Sequence, residues 1–180
     1  MKIVGIIAEY NPFHRGHEYQ IRYVRETLGA DYVIVAMSGD FVQRGAPALM
    51  EKYLRAEMAL LGGADLVLEL PIQVSTASAE GFAAGGVSLL DGLGCVDELC
   101  FGSECGDASL LCRAAAAAQD SQTAGLIQSG LKQALPLARA RQHAVEALYG
   151  EQTARCFTSP NDILAICYLN AIKQLGSSIT

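Results

Sequence analysis

Apolar residues fall along this chain in four near-continuous blocks, 2–8, 31–38, 65–70 and 98–102. An unbroken block reads as a strand covered on both faces, whereas alternation would mark a strand with one wet face. Between the blocks the period changes. Segment 16–28 puts Ile21, Val24 and Leu28 on one side of a helix and Glu18, Arg22, Arg25 and Glu26 on the other. Segment 47–61 reads alike, with Pro47 suited to a first helical turn and Met50, Leu54, Met58 and Leu61 as the buried stripe. Segment 78–93 is rich in Ala and Gly around Phe82, Leu89 and Leu90, which predicts a helix lying close on a sheet.

Strand–helix alternation of this kind predicts βαβ units with right-handed crossovers and a parallel sheet. The expected fold class is α/β, a Rossmann-like parallel sheet in an α/β/α layer with a helical insertion. The insertion covers about 107–150, which is rich in Ala and Gln and carries turn signals near Asp120, Gly130 and Pro136. "TSPNDILAICYLNAI" then opens a last, buried helix, with Ser159 as N-cap, Pro160 as first helical residue and Asp162 at the capping-box position. The closing "GSSIT" reads as the start of another strand, so 1–180 is expected to be one C-terminally truncated domain.

Composition narrows the class. A chain of 180 residues fits one domain with a full core, and 51% hydrophobic against 18% charged residues excludes disorder. No apolar run reaches the ~18–20 residues of a membrane span, so no membrane partner is expected. "KIVGIIAEY" runs straight into the following motif without the pattern of a signal peptide, which makes the cytoplasm the expected compartment. The net charge of −6 excludes bulk attraction to polyanions, so any nucleic-acid contact needs a local patch. Six cysteines in that compartment are expected to be reduced. Four lie in "CVDELCFGSECGDASLLC", but only Cys95, Cys100 and Cys105 approach zinc-ligand spacing; with Cys112 they read as free thiols, and no metal ligands are expected.

The chemistry concentrates in "NPFHRGH", 11–17, between the first strand and the first helix. Ligands of open parallel sheets bind at the carboxyl ends of the strands, and a helix N-terminus there attracts phosphate. Gly16 permits close approach to the backbone, and His14 and His17 offer donors to phosphate oxygens, charged if protonated. The alternative is one capping histidine and one satisfied in the core; the H-x-G-H pairing at a strand-to-helix turn favours the phosphate reading. "GDFVQRGA" lacks the spacing and the Lys-Ser/Thr of a P-loop, and no G-x-G-x-x-G follows the first strand.

H-x-G-H in this position resembles the signature of the nucleotidylyl transferase and class I aminoacyl-tRNA synthetase superfamily. Extended by "AEYNPFHRGHEYQI", "MSGDFVQRGAPA", "KYLRAEMAL", "GADLVLELP", "CFGSE" and "SPNDILAICYL", it resembles the bacterial tRNA(Met) cytidine acetate ligase family over almost the whole chain. That resemblance implies an enzyme that activates acetate with ATP as acetyl-adenylate, then acetylates N4 of the wobble cytidine of elongator tRNA(Met). It implies catalytic roles for His14 and His17. It also implies an ATP-contacting stretch of Ile7, Ala8, Glu9, Tyr10, Asn11, Pro12, Phe13, His14, Arg15, Gly16, His17, Glu18, Tyr19 and Gln20, with Gly102 and Asn161 closing the site.

Acetate is a weak nucleophile, and negative charge gathers on the phosphoryl oxygens at the transition state, so such a site needs positioning and donors more than a general base. A Mg2+ bridging phosphates fits this chemistry, although no carboxylate cluster fixes its place. On residues alone, Gly102 is as well read as a tight turn and Asn161 as support for a cap. Lys52, Arg55 and Arg44 form either a basic rim for pyrophosphate or RNA, or a solvated face paired with Glu51. Glu9 and Asn11 flank the site and Asp40 follows the second strand, their roles open. Two rival readings share the fold: an adenylyltransferase acting on a small phosphorylated acceptor, and a non-catalytic nucleotide- or RNA-binding module.

Overall fold

The computed structural model describes residues 1–43 and 45–180. The elements run β1 (Ile3–Ala8), α1 (Arg15–Glu26), β2 (Tyr32–Ser38), α2 (Lys52–Leu61), β3 (Leu66–Leu70), α3 (Ile72–Ser75), α4 (Ala79–Gly92) and β4 (Glu98–Leu99), followed by α5 (Ala108–Gln119), α6 (Ser121–Lys132), α7 (Leu137–Tyr149), α8 (Glu151–Arg155) and α9 (Pro160–Leu175). The chain divides into two compact units, Met1–Phe101 with Gln174–Thr180, and Gly102–Lys173.

The first unit is an all-parallel sheet in the order β3-β2-β1-β4, the α/β class the apolar blocks predict. Its two faces are covered differently. Val4 and Ile6 of β1 and Val33, Val35 and Met37 of β2 pack with Ile21 and Val24 of α1 and Ala59 of α2. On the other face α4 lies close: a Cβ on Gly86 would meet Ile7 at 2.8 Å, and one on Gly5 would meet Leu90 at 2.7 Å. One device starts the strands. Asp31, Asp65 and Asp97 stand immediately before β2, β3 and β4, and their carboxylates accept from the backbone N–H groups of Lys2, Val33 and Ile3, each at 2.7 Å. They thereby satisfy donors on the neighbouring strand that the ladder cannot reach.

Three expectations need correction here. The helix predicted over 47–61 begins only at Lys52, because Pro47 is held in an isolated antiparallel bridge with Phe41. The stripe of α2 is rotated as well: Leu54 is 43% and Leu61 83% exposed, whereas Arg55 and Ala59 are fully buried. The fourth strand is two residues long; beyond it the Cys100 N–H makes one more bond to the Gly5 carbonyl, at 2.9 Å. Thr180 then lies along β4, its N–H donating to Asp97 O and its carbonyl accepting from Leu99 N–H, the pattern of a parallel neighbour.

The second unit is helical. α5 to α7 occupy the segment predicted as helical and α8 follows it, with Asp107 and Asp120 as side-chain N-caps of α5 and α6. The Ser159 carbonyl accepts the first intrahelical bond of α9, from Ile163. Ala165, Ile166, Cys167, Tyr168 and Ala171 of that helix are buried, as its apolar body requires. Among the described residues, no helix is long and apolar enough to cross a membrane.

Candidate active site

β1 ends at Ala8, and the chain turns through Tyr10, in the left-handed region at φ 47°, and a cis Asn11–Pro12 peptide. That backbone conformation costs a non-glycine residue about 1–2 kcal/mol, which burial of the Tyr10 ring at 1% exposure offsets. The Tyr10 ring meets Phe13 edge-on at 5.0 Å and lies 4.7 Å from the His17 ring, giving that imidazole an aromatic floor. Phe13 in turn packs on Gly62, where a Cβ would approach its Cζ to 2.6 Å.

His14 is the N-cap of α1, and the cap is reciprocal. His14 Nδ1 accepts from the Gly16 N–H at 3.1 Å, and His17 Nδ1 accepts from the His14 N–H at 3.3 Å. A neutral imidazole has one donor and one acceptor nitrogen, so accepting at Nδ1 puts the proton on Nε2 in both rings. The rings stack with centroids 3.6 Å apart and 21° between planes. A helix start thus carries two parallel imidazoles, each with Nε2–H as its donor. Gly16 is required for this: a Cβ there would stand 2.9 Å from His14 Cε1 and 3.1 Å from its Nδ1. Burial, and then the neighbouring His14, pushes the His17 pKa down to about 4. His17 is therefore a neutral donor near pH 7, lacking the charge it would carry if protonated, and the ring and the helix end contribute dipoles.

The remaining residues of the stretch fall into three groups. Ile7 and Ala8 close β1. Arg15, Glu18 and Tyr19 are exposed on the first turn of α1. Glu9, Asn11 and Gln20 are fastened: Glu9 Oε1 accepts from the Gln43 N–H and Asn11 Oδ1 from the Leu49 N–H, both at 2.7 Å, while Gln20 Nε2 donates to the Cys100 carbonyl at 3.2 Å. Glu9 and Asn11 thus hold the loop after β2 against the end of β1.

Arg55 completes that clamp. Its guanidinium donates to the carbonyls of Met50 at 3.0 Å, Glu9 at 2.6 Å and Ser38 at 3.1 Å, and also to Gly39. It turns into the protein and forms no surface rim, which corrects the basic-rim expectation for this residue. Burial lowers its pKa, opposed by the field of Asp40, Glu9 and Glu69. Nothing in the sequence pattern announces this role except the small residues Ala56 and Ala59 on the same face, which let the helix approach the strand ends. Lys52 bonds Glu69 at 2.9 Å and lies 3.7 Å from Asp40, in place of the expected Glu51; the Glu69 hydrogen bond is the leading cause of its raised pKa. Met37, Gly39, Lys52, Tyr53, Ala56, Val67 and Glu69 line a cavity of about 110 Å³ there. Arg44 lies outside the described residues.

Gly102 and Asn161 belong to the second unit. Gly102 has no left-handed φ, and among the described residues a Cβ would meet nothing within 4 Å, so neither a strained turn nor packing demands glycine there. Asn161 Nδ2 donates to Glu104 Oε1 at 3.0 Å. Asp162 is not a capping-box acid: Glu104 Oε2 accepts from its N–H at 3.0 Å, and its own Oδ1 accepts from the Ser103 hydroxyl and the loop amides of Glu104 and Cys105. Of the four clustered cysteines, Cys95 and Cys112 are exposed and Cys100 is half-buried, all free, while Cys105 meets Cys156 and Asp162 instead. Sequence spacing gives no signal for that meeting.

The chain matches the family model of the HIGH Nucleotidyl Transferases over residues 1–180. It is 44% identical over 183 residues to a tRNA(Met) cytidine acetate ligase of Thermoanaerobacter sp. (strain X514), covering 100% of this chain and 46% of that protein. The corresponding ligase of Syntrophotalea carbinolica is 46% identical, with 99% and 43% covered. A crystal structure of Thermotoga maritima TmcAL bound with alpha-thio ATP superposes with a TM-score of 0.92 at 40% identity, covering 99% of this chain and 45% of that one. The chain spans just under half the length of the relatives it matches.

Proposed function

The chain belongs to the HIGH nucleotidyl transferase family, and from that premise we propose that it carries the acetate-activating site of a tRNA(Met) cytidine acetate ligase. Acetate attacks the α-phosphorus of ATP, forming acetyl-adenylate and releasing pyrophosphate. N4 of the wobble cytidine of elongator tRNA(Met) then takes the acetyl group, releasing AMP and a proton. The names of the relatives and the ATP analogue bound in the Thermotoga neighbour support this substrate set.

The observation that carries the reading is the stacked His14–His17 pair at the start of α1, with both Nδ1 atoms committed to the cap and both Nε2–H groups left as donors. Charge developing on the α-phosphoryl oxygens and the departing pyrophosphate meets donors already oriented, so little reorganisation accompanies the reaction. A neutral His17 ring also leaves the attacking carboxylate without a competing ion pair to that residue. Gly102 and Asn161 serve as adenosine contacts in this reading; the open space at the Gly102 Cβ position favours such a contact. Mg2+ fits as an ion carried on the triphosphate, where phosphate oxygens and water supply most of its ligands. A cytoplasmic setting follows from the tRNA substrate.

Acetate-dependent exchange of labelled pyrophosphate into ATP tests the proposal, with ATP binding measured calorimetrically alongside. Exchange that requires acetate and disappears in His17→Ala is expected. ATP binding without exchange, even with tRNA(Met) added, would overturn it in favour of a nucleotide-binding module.

A further inference from the structure

Three metal-ligating side chains outside the histidine site converge within the second unit: Cys105 of the loop after β4, Cys156 at the C-cap of α8 and Asp162 in the first turn of α9. One ligand atom from each lies within 4.8 Å of the other two. We propose that these residues bind one zinc-like divalent cation.

The surroundings fit such a site in several respects. Cys156 is 1% and Asp162 2% exposed, so the cluster is not a chance gathering of surface groups. Asp162 Oδ1 is fixed by the Ser103 hydroxyl at 2.6 Å and by the amides of Glu104 at 3.0 Å and Cys105 at 3.2 Å. Outer-shell bonds of this kind orient a ligating carboxylate. The Ser103 hydroxyl donates to Asp162 Oδ1 and accepts from the Gly106 N–H at 3.1 Å, and its oxygen stands 3.3 Å from Cys105 Sγ. Burial, and then Cys105 and Asp162, push the Cys156 thiol up.

Geometry and softness select the ion. A tetrahedral zinc with bonds of about 2.0–2.3 Å spaces its ligands roughly 3.5–3.8 Å apart, which small rotations of these side chains supply. Two thiolates favour zinc or cobalt over magnesium or calcium. Both thiols give up a proton on binding, and the half-buried Cys105 side leaves a fourth position to water. The bound ion would staple the loop carrying Ser103 and Glu104 to the first turn of α9, beside Asn161.

Cobalt titration of the chelator-treated, reduced protein is the direct test. One equivalent of Co2+ is expected to give thiolate-to-metal charge-transfer absorption with tetrahedral d–d bands, displaced by Zn2+, and Zn2+ should raise the thermal midpoint. Cys105→Ser and Cys156→Ser should each abolish the charge-transfer bands, whereas Cys95→Ser and Cys112→Ser keep them. Ser103→Ala should weaken the affinity ~10–100-fold. Cys105→Ser removes a half-buried thiol, so circular dichroism separates lost binding from lost fold. Absence of the bands in the reduced protein, or bands that survive both Cys105→Ser and Cys156→Ser, would overturn the site.

Discussion

The imidazoles of His14 and His17 stack 3.6 Å apart while each nitrogen Nδ1 accepts a backbone N–H of the same helical turn. In the proposed reading the residues that cap α1 are also the ones that meet the phosphates, and the cap sets their tautomer. Structural and chemical roles can be separated by choosing the substitution. Gln at position 17 can reach back to the N-cap N–H as in an ordinary capping box, but it has no imidazole. His17→Gln is expected to keep the thermal midpoint within a few degrees and to slow pyrophosphate exchange ~100–1000-fold, the loss of one preorganised donor. Equal losses in stability and rate would contradict the assignment.

Gly16→Ala tests the same geometry without touching a histidine. The added methyl would stand 2.9 Å from His14 Cε1, so the ring must leave its stacked position. The backbone there is ordinary helix, and alanine favours helix by about 1 kcal/mol over glycine. Stability should hold or rise slightly while exchange falls at least tenfold.

Acid should reveal His17. Its pKa falls to about 4 in the folded protein, chiefly from burial, against an ordinary value of 6.5. Between those values the unfolded chain binds more protons than the folded one, so stability rises with pH across that window. The contribution of His17 is complete above about pH 6.5 and is lost as the pH falls towards 4. Urea unfolding at a series of pH values should show a steeper acid loss in the native sequence than in His17→Gln.

Arg55→Met removes four hydrogen bonds to the carbonyls of Glu9, Ser38, Gly39 and Met50 and leaves buried acceptors unpaired. Each such group costs about 1–3 kcal/mol, and partial relaxation brings the expected loss to about 3–5 kcal/mol. Lysine at this position has no planar fork and should recover only part of it. Denaturant midpoints of the two variants, read with an unchanged slope, decide the matter.

Much of the first unit was legible from one dimension. Period alone separates β1 and β2 from α1 and α4, because a strand buried on both faces and a helix buried on one leave different patterns, while β3, also an apolar block, is an edge strand with Leu66 and Glu69 exposed. The H-x-G-H pair was legible for a similar reason: its cap, its glycine and its stacking all lie within four residues. What the tertiary structure decided involves partners distant in sequence. The inner face of α2 turns on Arg55, whose four acceptors lie just after β1, at the end of β2, in the loop after it and just ahead of the helix, whereas hydrophobicity points to Leu54 and Leu61. Burial, which no motif records, made His17 neutral. Sequence spacing groups Cys105 with Cys95 and Cys100, but folding of the second unit puts it beside Cys156 and Asp162. Local spacing specifies what one turn or one strand can satisfy by itself; a buried guanidinium or a convergent thiol is satisfied only by groups that the chain brings together when it folds.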